Sequence, residues 1–348
     1  MVYVGMIFGL ALVASLLLTP LARRLALRTG IVAKVVSRSV HTEPKPFLGG
    51  AAMFLAFAAA ALVGGVAASE SVQGILVCGG LIMLLGVVDD KFALKAKVKF
   101  LGQVAIAALL VYGYGVEIAG IMSPLGERWV DFGTFAGPLT ILWIVSFVNV
   151  MNFIDGLDGL AAGISTIGAL VLLLISLQQG LSSAVLLAAA LAGSAIGFLR
   201  YNFNPAKIFM GDAGSMFLGF TLAAISVEGV LKSALTVSVV VPVLALAVPI
   251  FDTAFAIVRR VAAGRSIGEA DKDHLHHRLL RLGLSHRNTV LVMWAVSAWL
   301  GLSAVAVTEV PLGQAMMIVG LVLVGIFVGA RKLGLLQVTP AKQKNLGQ

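Results

Sequence analysis

The chain is short of charge. Asp, Glu, Lys and Arg make up 12% of its 348 residues and hydrophobic residues make up 59%, whereas a soluble domain is about a quarter charged. A water-soluble globule is excluded and a membrane protein implied. Cysteine is almost missing too. The one thiol, Cys78, lies inside an apolar stretch, so neither a disulfide framework nor a cysteine-based metal or redox centre can be built. No segment alternates apolar and polar residues as an outer-membrane barrel strand does, while apolar runs able to cross about 30 Å of hydrocarbon recur along the chain. Residues 2–22 lack a basic start and a small-residue cleavage site, and Arg23, Arg24 and Arg28 follow them; they read as a retained first span. No soluble segment could carry a basic nucleic-acid face, so the net charge of +9 does not imply nucleic acid.

The apolar runs, punctuated by Gly, Pro and charge, predict an all-α fold: a polytopic membrane helical bundle of about eleven transmembrane helices. They fall near residues 2–22, 47–68, 71–88, 101–118, 137–154, 160–178, 182–199, 214–230, 234–258, 289–308 and 311–330. With the N-terminus outside and the C-terminus cytoplasmic, 23 of the 25 Lys and Arg fall on the inner side, leaving only Arg128 and Lys232 outside. Residues 1–348 thus read as a single integral membrane domain, with polar loops at 23–46, 89–100, 149–160, 200–213 and 259–288 facing the cytoplasm. The stretch 119–136 reads as a turn-rich excursion on the other side.

Four constellations concentrate the polar chemistry. In GVVDDKFALKAKVKF, Asp89 and Asp90 end a span and Lys91, Lys95, Lys97 and Lys99 follow. The lysines alone could sit among headgroups, but adjacent carboxylates at a membrane boundary are costly without cations, a metal or a proton-transfer task. In NVMNFIDGLDGLAAG, Asn149 and Asn152 share a helix face that Asp155 and Asp158 continue into a Gly-rich turn. Asp158 could cap the next helix, yet four aligned oxygen-bearing side chains exceed what capping needs. In RYNFNPAKIFMGDAGS, Asp212 reads either as an N-cap or, as the third acidic locus on one membrane face, as a ligand for Mg²⁺. Phe209 beside it could offer a ring to a base or pack in the core. In AAGRSIGEADKDHLHHRLLRLGLSHR, His274, His276, His277 and His286 gather with Arg278, Arg281 and Arg287. This segment could bind zinc, lie on anionic lipid or neutralise a diphosphate; with no cysteine nearby the last reading is preferred. The spacing in LHHRLLRLGL predicts a helix at the membrane interface.

HTEPKPFLGG adds His41 and Lys45, and Asp252 in VPIFDTAFAIVRR is an intramembrane acid whose partner is not readable. An ion-coupled transporter would place such groups near the midplane between repeated halves. Here the acids gather at inner helix ends and no repeat is present.

The acidic pair at 89–90, NVMNFIDGLDGLAAG, FNPAKIFMGDAGS and DKDHLHHRLLRLGLSHR, in this order over roughly residues 40–290, resemble the polyprenyl-phosphate N-acetylhexosamine-1-phosphate transferase family. The interrupted histidine motif is most similar to the bacterial undecaprenyl-phosphate GlcNAc-1-phosphate transferases that initiate teichoic acid, O-antigen or related glycans. It is less similar to the branch that transfers phospho-MurNAc-pentapeptide. The resemblance implies a phosphoglycosyl transferase of the bacterial cytoplasmic (inner) membrane, with its active site facing the cytoplasm. It would transfer GlcNAc-1-phosphate from UDP-GlcNAc to undecaprenyl phosphate, giving undecaprenyl-diphospho-GlcNAc and UMP. It further implies Mg²⁺, with Mn²⁺ as the alternative ion, and dimers as the usual assembly. By motif, Asp212 and Asn152 would hold the metal. Asp89 and Asp90 would be catalytic acids and bases, with Asp212 completing the catalytic carboxylates. Asp155, Asp158 and Phe209 would hold uridine; Lys99, His274, His276, His277 and Arg278 would contact diphosphate or sugar; Asn202 would shape the site. One departure stands out. Where the family often carries a third acidic or amide side chain three residues after the second aspartate, this chain has Ala93.

Overall fold

The computed structural model describes residues 1–33, 45–66, 69–123, 128–229, 231, 239–262 and 274–334. His41, Lys232, the stretch 263–273 of the histidine-bearing loop and the tail from 335 lie outside the described residues.

The described chain is helical: α1 (Val2–Thr29), α2 (Gly49–Val63), α3 (Glu70–Phe92), α4 (Ala96–Ala108), α5 (Ala136–Ile154), α6 (Leu160–Gln178), α7 (Ser182–Asn202), α8 (Gly211–Glu228), α9 (Val240–Ala245), α10 (Ala247–Ala262), α11 (Leu275–Arg281), α12 (His286–Glu309) and α13 (Leu312–Lys332). Eight helical segments are long and apolar enough to cross a membrane: α1, α3, α4 with its following π turn, α5 with its preceding 3-10 turn, α6, α7, α12 and α13. The chain is a multi-pass helical membrane protein.

Three of the expected spans take another form. Helix α2 has only 15 residues, and α8, with 18, carries Asp212 and Glu228 near its ends. The expected continuous span 234–258 is broken at Leu246, between α9 and α10. Pro249 explains the break: it has no N–H for the Ala245 carbonyl, and its ring crowds that carbonyl. The excursion 119–136 contains an antiparallel hairpin of β3 (Gly120–Met122) and β4 (Trp129–Asp131). A second small pair, β1 (Val32–Ala33) with β2 (Lys45–Pro46), leads into α2.

Packing rests on small residues, as expected where lipid already solvates apolar side chains. Gly193 and Gly197, one turn apart on α7, let the α1 backbone at Phe8 and Leu12 approach so closely that no β-carbon would fit. Pro20 in α1 leaves the Leu16 carbonyl without its helical donor, and the Tyr201 hydroxyl supplies one at 3.1 Å. Helix α13 lies at the periphery, with Met316, Met317, Leu321 and Phe327 outward.

Helix α8 is the axis. It is buried on every side over nearly its whole length, which for an apolar helix means enclosure by other helices. Its N-terminus is pressed between α2 and α3, where a β-carbon on Gly50 or Gly86 would collide with the backbone of Asp212, Ala213 and Gly214. That contact sets the end of α3 against the start of α8.

Candidate active site

The first four N–H groups of a helix have no partner within it and carry a partial positive charge. At α8 these groups are met by Asp90. Its carboxylate accepts from the N–H of Asp212 at 2.8 Å and of Ala213 at 3.2 Å. Gly211 has φ +69°, and a β-carbon there would run into the same carboxylate. The expected alternative that Asp212 caps α8 is therefore corrected. The helix already begins at Gly211, so Asp212 lies inside its first turn, and the capping acid comes from α3.

Freed from capping, the Asp212 carboxylate faces the cleft. It pairs with the Lys99 ammonium and accepts from the Asn152 amide at 2.9 Å. Lys99 also pairs with Asp89 at 2.9 Å, and Asp89 accepts from the Leu94 N–H at 2.7 Å. That last bond closes the turn after α3, in which Ala93 takes a left-handed conformation at φ +52°. The position that departs from the family pattern is thus a helix C-cap. Asn152 donates as well to Ser215 at 2.9 Å, tying α5 to α8.

The polar line from Asn149 to Asp158 divides its labour. Asn149 donates to Gln103 of α4 at 2.7 Å, a buried crosslink. Gln103 was missed in the sequence, although it lies one helical turn beyond Lys99 and shares its face. Asp155 follows α5 directly and makes no hydrogen bond among the described residues. Burial pushes its carboxyl up to about 8, and the charges of Asp212, Asp90 and Asp158 push the same way. Asp158 does not cap α6 as it could have done. Gly159, at φ +82°, takes the N-cap position, and Asp158 instead accepts from the Asn204 side chain at 3.2 Å and the Ala206 N–H at 2.9 Å, with Lys45 at 3.8 Å.

Asn202 is buried, accepting from the Gly159 N–H at 3.0 Å and donating to the Ile208 carbonyl at 3.0 Å, so it fixes two loops against each other. Phe209 is half-buried, with the Lys45 ammonium 5.2 Å from its ring centre and Phe47 at 6.1 Å.

The histidine segment forms α11, as its spacing predicted. The His274 ring lies 2.9 Å from the Asp252 carboxylate, which supplies the partner that the sequence left unread. His276 is 2% exposed and neither of its ring nitrogens has a partner. Its ring packs on Gly156, where a β-carbon would stand 2.6 Å from Nε2. Burial first, then the His277 charge, hold its pKa down to about 3, so it is neutral at pH 7. His277 packs beside it, with ring centres 4.2 Å apart. Arg278 is placed differently from the expected diphosphate contact: its guanidinium donates to the carbonyls of Leu333, at 3.2 Å, and Gly334 just beyond α13. Its position on α11 one turn past His274 turns it toward that helix end.

Asp89 and Asp212 thus gather at Lys99 with Asp90 and Asp155 close by, and Asp155 is raised first by burial and then by the charges of Asp212, Asp90 and Asp158. A hard divalent cation fits this donor set, which is all oxygen apart from Lys99. Among the described residues no three His, Cys, Asp or Glu form a ready cage. That suits an ion that takes one or two carboxylates and completes its shell with phosphate oxygens and water.

Residues 72–230 match the profile of glycosyl transferase family 4. The chain is 38% identical to a protein of Bacillus subtilis (strain 168) named as a probable undecaprenyl-phosphate N-acetylglucosaminyl 1-phosphate transferase, over 96% of this chain and 93% of that one. It is 39% identical to the decaprenyl-phosphate N-acetylglucosaminephosphotransferase of Mycolicibacterium smegmatis, over 87% of this chain and 81% of the relative. With the phospho-N-acetylmuramoyl-pentapeptide-transferase of Pelotomaculum thermopropionicum it shares 32% identity over 83% and 92% of the two chains.

Proposed function

This chain belongs to the polyprenyl-phosphate N-acetylhexosamine-1-phosphate transferase family, the glycosyl transferase family 4 group, and from that membership we propose that it transfers N-acetylglucosamine-1-phosphate from UDP-GlcNAc to undecaprenyl phosphate. The products are undecaprenyl-diphospho-GlcNAc and UMP. The observation that carries the reading is the cluster itself, in which Asp89 of α3 and Asp212 of α8 meet Lys99, with Asp155 beside them and the His276 ring of α11 packed on the adjoining Gly156. Phosphoryl transfer asks for positioning and for charge neutralisation more than for covalent help.

In the reading we favour, all eleven predicted apolar segments cross or enter the bilayer, with the N-terminus outside and the cleft on the cytoplasmic face. The positive-inside distribution of Lys and Arg supports this. A lipid phosphate acceptor and a soluble UDP-sugar then meet at the inner boundary.

Mg²⁺ would be held by Asp212 with Asn152 beside it, and when bound it would neutralise diphosphate oxygens and polarise the phosphorus under attack. The rest falls to this chain's own residues. Lys99 supplies a fixed positive charge between Asp89 and Asp212 and can pass from a carboxylate to a phosphate oxygen. Asp90 has both oxygens engaged by α8 amides, so it is a positioning residue; Asp89, held by an exchangeable lysine, is the base candidate toward the lipid phosphate. That phosphate is already largely anionic at pH 7, which favours direct attack over a covalent phosphosugar on a carboxylate. Phe209 and Asp158 would bind uridine, and His274, His276 and His277 would meet the diphosphate or sugar.

The test is UMP release by purified protein with undecaprenyl phosphate and Mg²⁺, comparing UDP-GlcNAc with other UDP-sugars and with UDP-MurNAc-pentapeptide. Release with UDP-GlcNAc alone is expected. Release only with the pentapeptide donor would favour the second reading, which the 32% identical relative motivates. Decaprenyl phosphate belongs in the same experiment as an alternative acceptor, given the name of the mycobacterial relative.

A further inference from the structure

Asp252 is a buried acid that the scheme above does not use. It lies on α10, 3% exposed, and both of its oxygens are committed to the start of α11. Oδ1 accepts from the N–H of Leu275 at 2.7 Å, the first residue of that helix, and Oδ2 lies 2.9 Å from Nδ1 of His274. A carboxylate has no proton to give, so the ring must donate at Nδ1. That leaves Nε2 as the one ring atom open to a substrate, and among the described residues it makes no hydrogen bond. A protonated Nε2 would carry a positive charge backed by Asp252, and charge-assisted hydrogen bonds to phosphate are roughly twice as strong as neutral ones.

We propose that Asp252 is a positioning residue for catalysis: by holding Nδ1–H it orients the His274 ring so that a proton taken up at Nε2 is directed at a phosphate oxygen of the donor, with the carboxylate balancing the charge. This rests on the proposed phosphosugar transfer. It makes the break between α9 and α10 part of the site, because α10 carries the acid that holds α11 in place.

Asp252→Asn separates the two jobs of the acid. The amide oxygen can still accept from Leu275, but the amide nitrogen then faces Nδ1 and forces the ring to accept there. The positive ring is disfavoured and the proton moves to Nε2. Expected with the purified full chain is a fall in kcat of about ten- to a hundredfold, with the UDP-GlcNAc KM changed by less than about threefold, since charge develops on the leaving phosphate mainly in the transition state.

The decisive readout is a double-mutant cycle with His274→Asn. If Asp252 acts through His274, Asp252→Asn costs nothing further in the His274→Asn background. Losses that multiply, or an Asp252→Asn enzyme with normal kcat, would overturn the proposal. So would full activity in His274→Asn. Should Asp252→Asn fold poorly, Asp252→Ser keeps an acceptor for the Leu275 amide and releases the ring. It is expected to show the same kcat loss, and normal turnover in it is equally fatal. Failure of the underlying function is distinguishable, because then the unmodified protein releases no UMP from any donor.

Discussion

The two walls of the cleft are built in different ways. On the acidic wall every carboxylate but one is tied to a neighbouring element: Asp90 to the amides of α8, Asp89 to Lys99 and Leu94, Asp212 to Lys99 and Asn152. On the histidine wall Asp252 holds the His274 ring, while His276 is buried with both nitrogens unmatched among the described residues. The acidic wall is rigid and over-charged, which suits a cation. The buried, unmatched His276 suits an anion that brings its own acceptors. The proposed metal-bound diphosphate would need both.

Asp212→Asn breaks this contrast most severely. It is expected to lower UMP release by about a thousandfold or more and to blunt its dependence on Mg²⁺; near-normal release would remove Asp212 from the metal assignment. Next come the paired acids. Asp89→Asn should cut turnover about a hundredfold with little effect on donor affinity, and should lower the melting temperature slightly as its ion pair with Lys99 is lost. Asp90→Asn should lose turnover and also about 1–2 kcal/mol of stability, because an amide has one acceptor oxygen where the carboxylate offers two to the Asp212 and Ala213 N–H groups. Unchanged stability in Asp90→Asn would mean that its carboxylate does not hold the start of α8. On the other wall, Gly156→Ala pushes the His276 ring aside. Turnover should fall about tenfold while the Mg²⁺ concentration for half-activity stays put, and a shift in that concentration would mean the walls are not separable.

The smallest expected effect has the opposite sign. Asp155 has a folded pKa raised to about 8, so its charge is disfavoured in the folded state. As pH rises past the ordinary carboxylate range, the unfolded chain ionises there before the folded one does, and stability is lost. Without metal, Asp155→Asn should therefore melt higher than the parent, by a margin that is larger at pH 8 than at pH 5. A margin independent of pH would mean that Asp155 is not strained by its neighbours. Whatever it gains in stability, the variant is expected to lose turnover, since the acid stands beside Asp212 and Asp90 in the proposed site.

Much of this was legible in the sequence. The motifs carry their chemistry locally, so the acidic pair, the Asn–Asp run and the histidine segment could be found without coordinates. Helix α11 followed from its apolar spacing. What was not legible is who meets whom across the chain. Asp212 could be read as its own helix's cap because the true cap, Asp90, lies 122 residues away and leaves no local trace. Asp252 and His274 belong to different helices and their meeting depends on the bend before α10. That bend could have been placed from Pro249, but a run of apolar residues hid it. Asn149 looked like one more site residue, and only its contact with Gln103 identifies it as a structural crosslink.

The grip of Arg278 on the carbonyls at Leu333 and Gly334 bears on how this enzyme can be handled. The last helix is a strut behind the histidines as well as a membrane anchor. A truncation ending before Leu333, or a bulky fusion joined directly at that point, would take these two carbonyls away from the guanidinium and loosen the wall some distance from the cut. Tags for purification belong beyond that clamp, behind a spacer.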